Sequence, residues 1–350
     1  MSTSREELNE LLAQYPNVSA AFAYGSGVVE QGGYDYSLKD KNSAQLPMLD
    51  LIFVVEDSER WHAENMKRHP DHYSSFLARS PGVVAAVQEK MGAKVWFNAY
   101  IPMGTKRSPD RMIKYGVIQR EAMVRDLLSW DTLYIAGRLQ KPVMIIKSNE
   151  EIDRAMEVNR KHAVKAAVLL LPKIFSEVDL FLSIASLSYI GDPRMFLGEN
   201  PKKVVNLVMP IVPHYRSMYQ STLSSLLAEP IALPIAGTKE QVIASPDAIL
   251  RHITDQPENI YMQEGSREAR WSLCTSLPLS MRRLLLLRSR TRIKVLLQDK
   301  PPTRASIRAA LASLVARSAG SQSLKGLLTV GLVKSAKYLL AKMGKRFWGK

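Results

Sequence analysis

The sequence predicts a mixed α/β chain, and three observations carry that prediction. Residues 19–24 read as a strand that runs into a tight Gly25-Ser26-Gly27 turn. Residues 48–55 read as a second, buried strand in which a single carboxylate, Asp50, interrupts an apolar run. The segments around them carry helical periodicity, cap residues and proline or glycine stops. A carboxylate in an apolar strand needs a positive partner, because burying an unpaired charge costs several kcal/mol. A divalent metal carrying nucleotide phosphates is one such partner. A glycine-rich turn is a suitable neighbour for it, since backbone N–H groups can approach phosphate closely there.

Residues 5–15 read as a short helix with Leu8, Leu11 and Leu12 on one face. Residues 31–45 are polar and glycine-containing and read as a flexible loop. Asp57 or Ser58 caps a helix, residues 68–74 form a loop leading into another helix, and residues 83–90 are helical in pattern. Residues 94–101 form a third strand closed by Pro102, whose alternation places Lys94, Trp96, Asn98 and Tyr100 on one face. A basic stretch with a late glycine follows at residues 109–117. Residues 119–139 read as one amphipathic helix through Met123, Leu127, Trp130, Tyr134 and Ile135.

Further along, residues 142–147 form a short strand and residues 153–171 a long helix ended by Pro172. A helix capped by Ser176, with Asp179 at its third position, spans residues 176–187. Residues 189–195 read as a strand or turn, residues 202–209 as a helix and residues 230–238 as a linker. These segments divide the chain into a core at 1–145, a helical winged-helix-like unit at 146–235, a further helical region at 236–320 and a basic segment at 321–350.

The 350 residues are enough for two domains and carry a formal net charge of +15. That excess is local: from Met281 onward there are 17 Lys and Arg against one acid, Asp299, while the rest of the chain is close to neutral. A neutral body with a basic end points to a tether on an anionic surface more than to a nucleic-acid binder, and no nucleic-acid partner is expected. One cysteine, Cys274, excludes an intramolecular disulfide and a cysteine metal cluster. There is no apolar stretch long enough for a transmembrane helix, and no Arg-rich, acid-poor presequence opens the chain.

Several stretches in series carry a family resemblance: AFAYGSGVVEQ at 21–31, MLDLIFVVED at 48–57, GAKVWFNAYI at 92–101, RDLLSWDTLYIAGRLQKPV at 125–143 and QSLKGLLTVGLVKS at 322–335. With WHAEN, HPDHYS and IKYGVI between them, the chain resembles the mitochondrial CDP-diacylglycerol synthases of the translocator assembly and maintenance family. The resemblance implies a polymerase-β-type nucleotidyltransferase domain, a winged-helix-like domain and a membrane-binding C-terminal segment. It implies Mg²⁺-dependent transfer from CTP to phosphatidic acid on the matrix face of the mitochondrial inner membrane, upstream of cardiolipin.

On that resemblance Gly25, Ser26 and Gly27 cradle the triphosphate, Asp50 binds Mg²⁺ and Lys114 neutralises phosphate charge. Tyr115 stacks on cytosine or packs in the core. Arg111, Arg138, Lys141 and Lys147 are further phosphate-binding candidates, and His62 and His72 have no required acid–base role. The chain departs from the superfamily pattern at Met48 and Ile52, where a second strand carboxylate would stand, and at Asn98, where a third would. Asp35, Glu56 and Asp57 are the candidates for a second metal ligand. In the basic end, Arg282–Arg292 mixes cations with leucines, and Lys325, Lys334, Lys337, Lys345, Arg346 and Trp348 are the expected membrane contacts. Two other readings stay open on the residues alone: an RNA-directed nucleotidyltransferase, and a non-catalytic membrane-associated assembly factor.

Overall fold

A computed structural model describes residues 3–28, 46–73, 78, 80–197, 201–227, 235–237, 259–263, 266–289 and 304–330. The first half is a five-stranded sheet with helices on both faces. Helix α1 (Arg5–Ala13), N-capped by Ser4, leads into β1 (Ala20–Tyr24). β2 (Leu49–Val55) pairs antiparallel with β1, and Asp57 then caps α2 (Ser58–Arg68) by accepting from Arg60 N at 2.9 Å. After α3 (Pro81–Lys90) come β3 (Trp96–Pro102) and β4 (Met112–Gln119), followed by α4 (Arg120–Ser129), α5 (Ile135–Leu139) and β5 (Met144–Lys147). The strand order is β3-β4-β2-β1-β5, with β2 and β4 parallel and the other pairs antiparallel.

The second half is mainly helical. It holds α6 (Glu150–Leu170), β6 (Ile174–Ser176), α7 (Glu177–Ser186), α8 (Pro193–Leu197), α9 (Lys203–Val208) and α10 (Val212–Leu227). β7 (Ile235–Gly237), β8 (Ile260–Met262), α11 (Arg267–Thr275), α12 (Leu279–Ser289) and α13 (Arg304–Val330) complete it. The three short strands form a second sheet in the order β6-β8-β7. The α/β class read from the sequence is the class observed. The capping box at Ser176 and Asp179 is present as read.

The sheet separates two cores. On one face Ala21, Leu51, Phe53, Tyr115 and Val117 pack against Leu8, Leu11 and Trp61. On the other, Phe22, Ile52, Val54, Phe97 and Ile118 join an apolar cluster that continues through α6, α7, α10 and α13. Strand alternation puts Tyr24, Asp50 and Lys114 on this second face, at the end of the strands where the apolar cover stops.

Four segments differ from the sequence reading. The basic stretch at 109–117 is largely β4, the parallel partner of β2. The alternation of β3 stops at Ala99, because its register slips between Ala99 and Ile101 and Tyr100 takes φ 58°. The single helix expected over 119–139 is two. α4 ends at Trp130 with φ 54°, and the Asp126 carboxylate accepts from the Leu133, Ile135 and Ala136 amides to start α5. At 189–195, by contrast, the turn named as one of the two readings is what forms, and it leads into α8. Of the linker expected at 230–238, residues 235–237 form β7 and the rest lies outside the described residues.

Candidate active site

Asp50 lies opposite Tyr24 in the β1–β2 register and opposite Lys114 in the β2–β4 register. Lys114 Nζ is 3.8 Å from Asp50 Oδ1, and the two side chains remain 21% and 30% exposed. The ammonium also lies 4.5 Å from the centroid of the Phe97 ring. The carboxylate therefore escapes the cost of full burial in two ways, by its place at the open end of the strand and by the cation beside it.

The glycine turn meets this carboxylate directly. Gly25 has φ +79°, a conformation that favours glycine, and a Cβ there would stand 3.3 Å from Asp50 Oδ2. Val28 N donates to Gly25 O at 3.1 Å, so Ser26 and Gly27 occupy the tip of a turn. A Cβ at Gly27 would stand 2.8 Å from Met48 O, so this turn and the entry to β2 are in contact. Arg111 fastens the two together. Its Nε donates to Pro47 O at 3.0 Å, its Nη2 to Gly27 O at 2.9 Å and its Nη1 to Thr3 Oγ1 at 2.6 Å. Arg111 is thus a buried strut, and Lys147, exposed on β5, is tied down too, its Nζ donating to Asn17 Oδ1 and Val18 O at the far end of β1.

Tyr115 is not placed to stack on a base. It is fully buried on the opposite face of the sheet from Asp50, packed on Phe53 at 5.3 Å between centroids. Its hydroxyl accepts from Asn65 Nδ2 at 3.0 Å and Asn98 Nδ2 at 2.8 Å and lies 2.8 Å from His72 Nδ1. Asn98 turns toward that network, so the β3 residues on the Asp50 face are Phe97 and Ala99, neither of them a ligand. His62 belongs to the same buried network through Tyr73 OH and Gln88 Oε1, and burial pushes its pKa down to about 4. Both histidines are sequestered from the open end of the sheet.

The other candidate metal ligands are accounted for by structure. Glu56 follows the far end of β2 and binds Arg120 at 2.7 Å and Ser19 at 2.5 Å. Asp57 is the α2 cap, and Asp35 lies outside the described residues. No cluster of three or more His, Cys, Asp or Glu exists among the described residues. Among the described residues Asp50 alone thus offers a carboxylate at the turn.

Lys325 is not a membrane contact. It is fully buried, and its Nζ donates to Val87 O, Gln88 O and Met91 O at the C-terminal end of α3, with Met91 O at 2.9 Å. Lys334, Lys337, Lys345, Arg346 and Trp348 lie outside the described residues. On α12, Arg282 and Arg283 are exposed and Leu287 is 77% exposed. Among the described residues no helix is long and apolar enough to cross a membrane.

Two tyrosines that the sequence reading did not single out for chemistry lie close by: Tyr24 stands opposite Asp50 in the register, and Tyr134 packs near Phe97. Tyr24 and Tyr134 flank the Arg138 guanidinium at 5.2 and 4.0 Å. The available signal was their place within the AFAYGSG and DTLYIAGR stretches.

A family model described as "Phosphatidate cytidylyltransferase, mitochondrial" matches residues 8–345. Proteins of that name are similar over nearly the whole chain. The one from Mus musculus is 38% identical over 349 residues, covering 98% of this chain and 95% of its own. The one from Drosophila melanogaster is 35% identical, covering 96% and 97%. The one from Schizosaccharomyces pombe is 34% identical, covering 99% and 86%.

Proposed function

The chain belongs to the mitochondrial phosphatidate cytidylyltransferase family, and from that premise we propose how its geometry joins CTP to phosphatidic acid, giving CDP-diacylglycerol and pyrophosphate. The observation that carries the assignment of the site is the meeting of the Gly25 turn, Asp50 and Lys114 at the open end of the sheet.

In this reading the acceptor phosphate oxygen attacks the α-phosphorus of CTP in line. The new P–O bond forms as the bond to the bridging oxygen of pyrophosphate breaks. The acceptor is already an anion, so no strong general base is required, and the burial of His62 and His72 away from the site is compatible with that. The Gly25–Gly27 turn presents backbone N–H groups and the Ser26 hydroxyl to the triphosphate, and Lys114 offsets its charge. Asp50, as a single carboxylate, suits Mg²⁺ that shares its remaining coordination with phosphate oxygens and water, and the ion when bound would neutralise charge on the phosphates. Arg111 holds the turn against β2, which keeps these groups in register.

A polymerase-β-type core for the five-stranded sheet and a winged-helix-like unit among the following helices belong to the same proposal. So do a peripheral position on the matrix face of the mitochondrial inner membrane and supply of product for cardiolipin. The basic residues beyond Val330, together with Arg282, Arg283 and Leu287 of α12, provide the cations and exposed apolar surface that an anionic bilayer attracts.

The test is formation of CDP-diacylglycerol from radiolabelled CTP and phosphatidic acid in anionic liposomes, with and without Mg²⁺, for wild type and Asp50→Ala. Product from wild type with Mg²⁺ alone supports the reading. Product from Asp50→Ala at the wild-type rate removes Asp50 from the site.

A further inference from the structure

Among the described residues β3 is an edge strand of the five-stranded sheet, so no neighbouring strand meets the outer N–H and C=O groups at its start. Gln322 of α13 takes that place. Its carboxamide accepts from Ala93 N at 2.9 Å and donates to Val95 O at 3.2 Å, so one side chain clamps the turn that enters β3. Lys94, between those two residues, has φ 59°, and Gly92, just before them, has φ +61°. A lysine in left-handed backbone is strained, and such a conformation persists only where its surroundings hold it. Gly92 is needed for space as well, since a Cβ there would stand 2.7 Å from Gln322 Oε1. One turn on, Lys325 Nζ donates to Met91 O at 2.9 Å, at the start of the same turn.

The earlier part of α13 gives this clamp a fixed base. Ile307, Ala310, Leu311 and Leu314 are buried in the apolar cluster of the helices, and Arg304 Nη2 donates to Leu171 O at 2.6 Å, just past α6. From the clamp a short path leads to the site. Val95 and Phe97 both pack onto Gly116 of β4, where a Cβ would lie 2.7 Å from Val95 Cγ1 and 2.5 Å from Phe97 Cε1. Phe97 lies opposite Gly116 in the β3–β4 register, and the Lys114 ammonium rests 4.5 Å from its ring centroid. The seat of residues 93–95 therefore sets the place of Phe97 on β4, and Phe97 sets the place of the ammonium beside Asp50.

We propose that Gln322 is a positioning residue for Lys114, acting from α13 through the strained entry to β3 and the Phe97 ring. The inference rests on the cytidylyl-transfer reading, in which Lys114 offsets the charge of the triphosphate. It makes the helix that leads into the basic end of the chain part of the support of the site.

The test is a double-mutant cycle in the full-length protein, with wild type, Gln322→Ala, Phe97→Leu and the pair. Gln322→Ala is expected to lower kcat/KM for CTP by about tenfold in folded protein that binds anionic liposomes as wild type does. Because Gln322 acts through Phe97, adding Gln322→Ala to Phe97→Leu should cost less than about twofold more. Folded Gln322→Ala within about twofold of wild type overturns the proposal, and so does a second loss of about tenfold on top of Phe97→Leu. If Gln322→Ala fails to fold, Gln322→Glu decides by the same limits, since it keeps the acceptor for Ala93 N and loses the donor to Val95 O. A second readout separates position from stability. In lysine-labelled protein the Hε signal of Lys114, identified by its loss in Lys114→Met, should lie upfield under the Phe97 ring and move to the ordinary lysine position in Gln322→Ala. A glutamine that only stabilises the fold leaves that signal in place, which also overturns the proposal. If wild type forms no CDP-diacylglycerol, the transfer reading fails, and the Lys114 signal still decides whether Gln322 positions it.

Discussion

Lys114 and Asp50 hold paired positions on the parallel strands β2 and β4, with Nζ 3.8 Å from Oδ1. A partly exposed ion pair of this kind contributes only about 0–1 kcal/mol to stability. Its chemical role should therefore separate cleanly from its structural one. Asp50→Asn and Lys114→Met are each expected to lower kcat/KM for CTP by roughly 100-fold, in the range seen when a single charge-stabilising group is removed. Their melting temperatures should stay close to wild type. A large fall in melting temperature with wild-type kcat/KM in the folded fraction would make the pair structural.

The two glycines of the turn should respond differently to alanine. At Gly25 the left-handed backbone costs about 1–2 kcal/mol with a side chain present, and the new methyl stands 3.3 Å from Asp50 Oδ2. Activity should fall more than stability does. At Gly27 the methyl would meet Met48 O at 2.8 Å and Arg111 Nη2 at 3.1 Å, which forces apart the turn and the strut that holds it. Gly27→Ala should therefore unfold at a lower denaturant concentration than Gly25→Ala, a ranking that parallel urea titrations check.

His62 predicts an acid-labile fold. Burial lowers its pKa from 6.5 to about 4, so the unfolded chain takes up the proton first as pH falls. The stability contributed by keeping His62 neutral is present above pH 6.5 and is lost between about 6.5 and 4, by an amount on the order of 3 kcal/mol. His62→Gln retains a donor and an acceptor for Tyr73 and Gln88 and should flatten the stability profile across that window. An unchanged slope in urea titrations from pH 7 to pH 4.5 would remove His62 as the cause.

Asp50 was legible because a carboxylate in an apolar strand is conspicuous, and Gly25 because a Gly-Ser-Gly turn directly follows the first strand. β4 was hidden. Its strand pattern is broken by Lys114 and Gly116, and Gly116 is explained only across the sheet, where a Cβ would lie 2.5 Å from Phe97 Cε1. The break between α4 and α5 was hidden for the opposite reason. Trp130, Tyr134 and Ile135 are buried whether or not the helix continues, so periodicity persists through the Asp126-held turn. Of the two places open to Tyr115, the core is the one it takes rather than a nucleotide contact, because adjacent residues in a strand face opposite ways and Lys114 faces the Asp50 side.

Lys325 gives the sharpest test of what the sequence could not show. The sequence reading placed it among the membrane contacts of the basic end, but its partners are three carbonyls at the end of α3, far away in the chain. Gln322, one turn earlier, donates to Val95 O at 3.2 Å and accepts from Ala93 N at 2.9 Å, so α13 is fixed to the segment that leads from α3 into β3. Burial lowers the Lys325 pKa from 10.5 to about 7. Between those values the unfolded chain binds more protons than the folded one, so stability should rise with pH from about 7 to 10.5. Lys325→Met keeps the apolar stem, removes this titration and should lessen the rise. It should leave affinity for anionic liposomes unchanged, whereas a cation at the bilayer surface is worth about 1 kcal/mol, or roughly fivefold in binding. A fivefold loss of liposome binding in folded Lys325→Met would return this lysine to the membrane face.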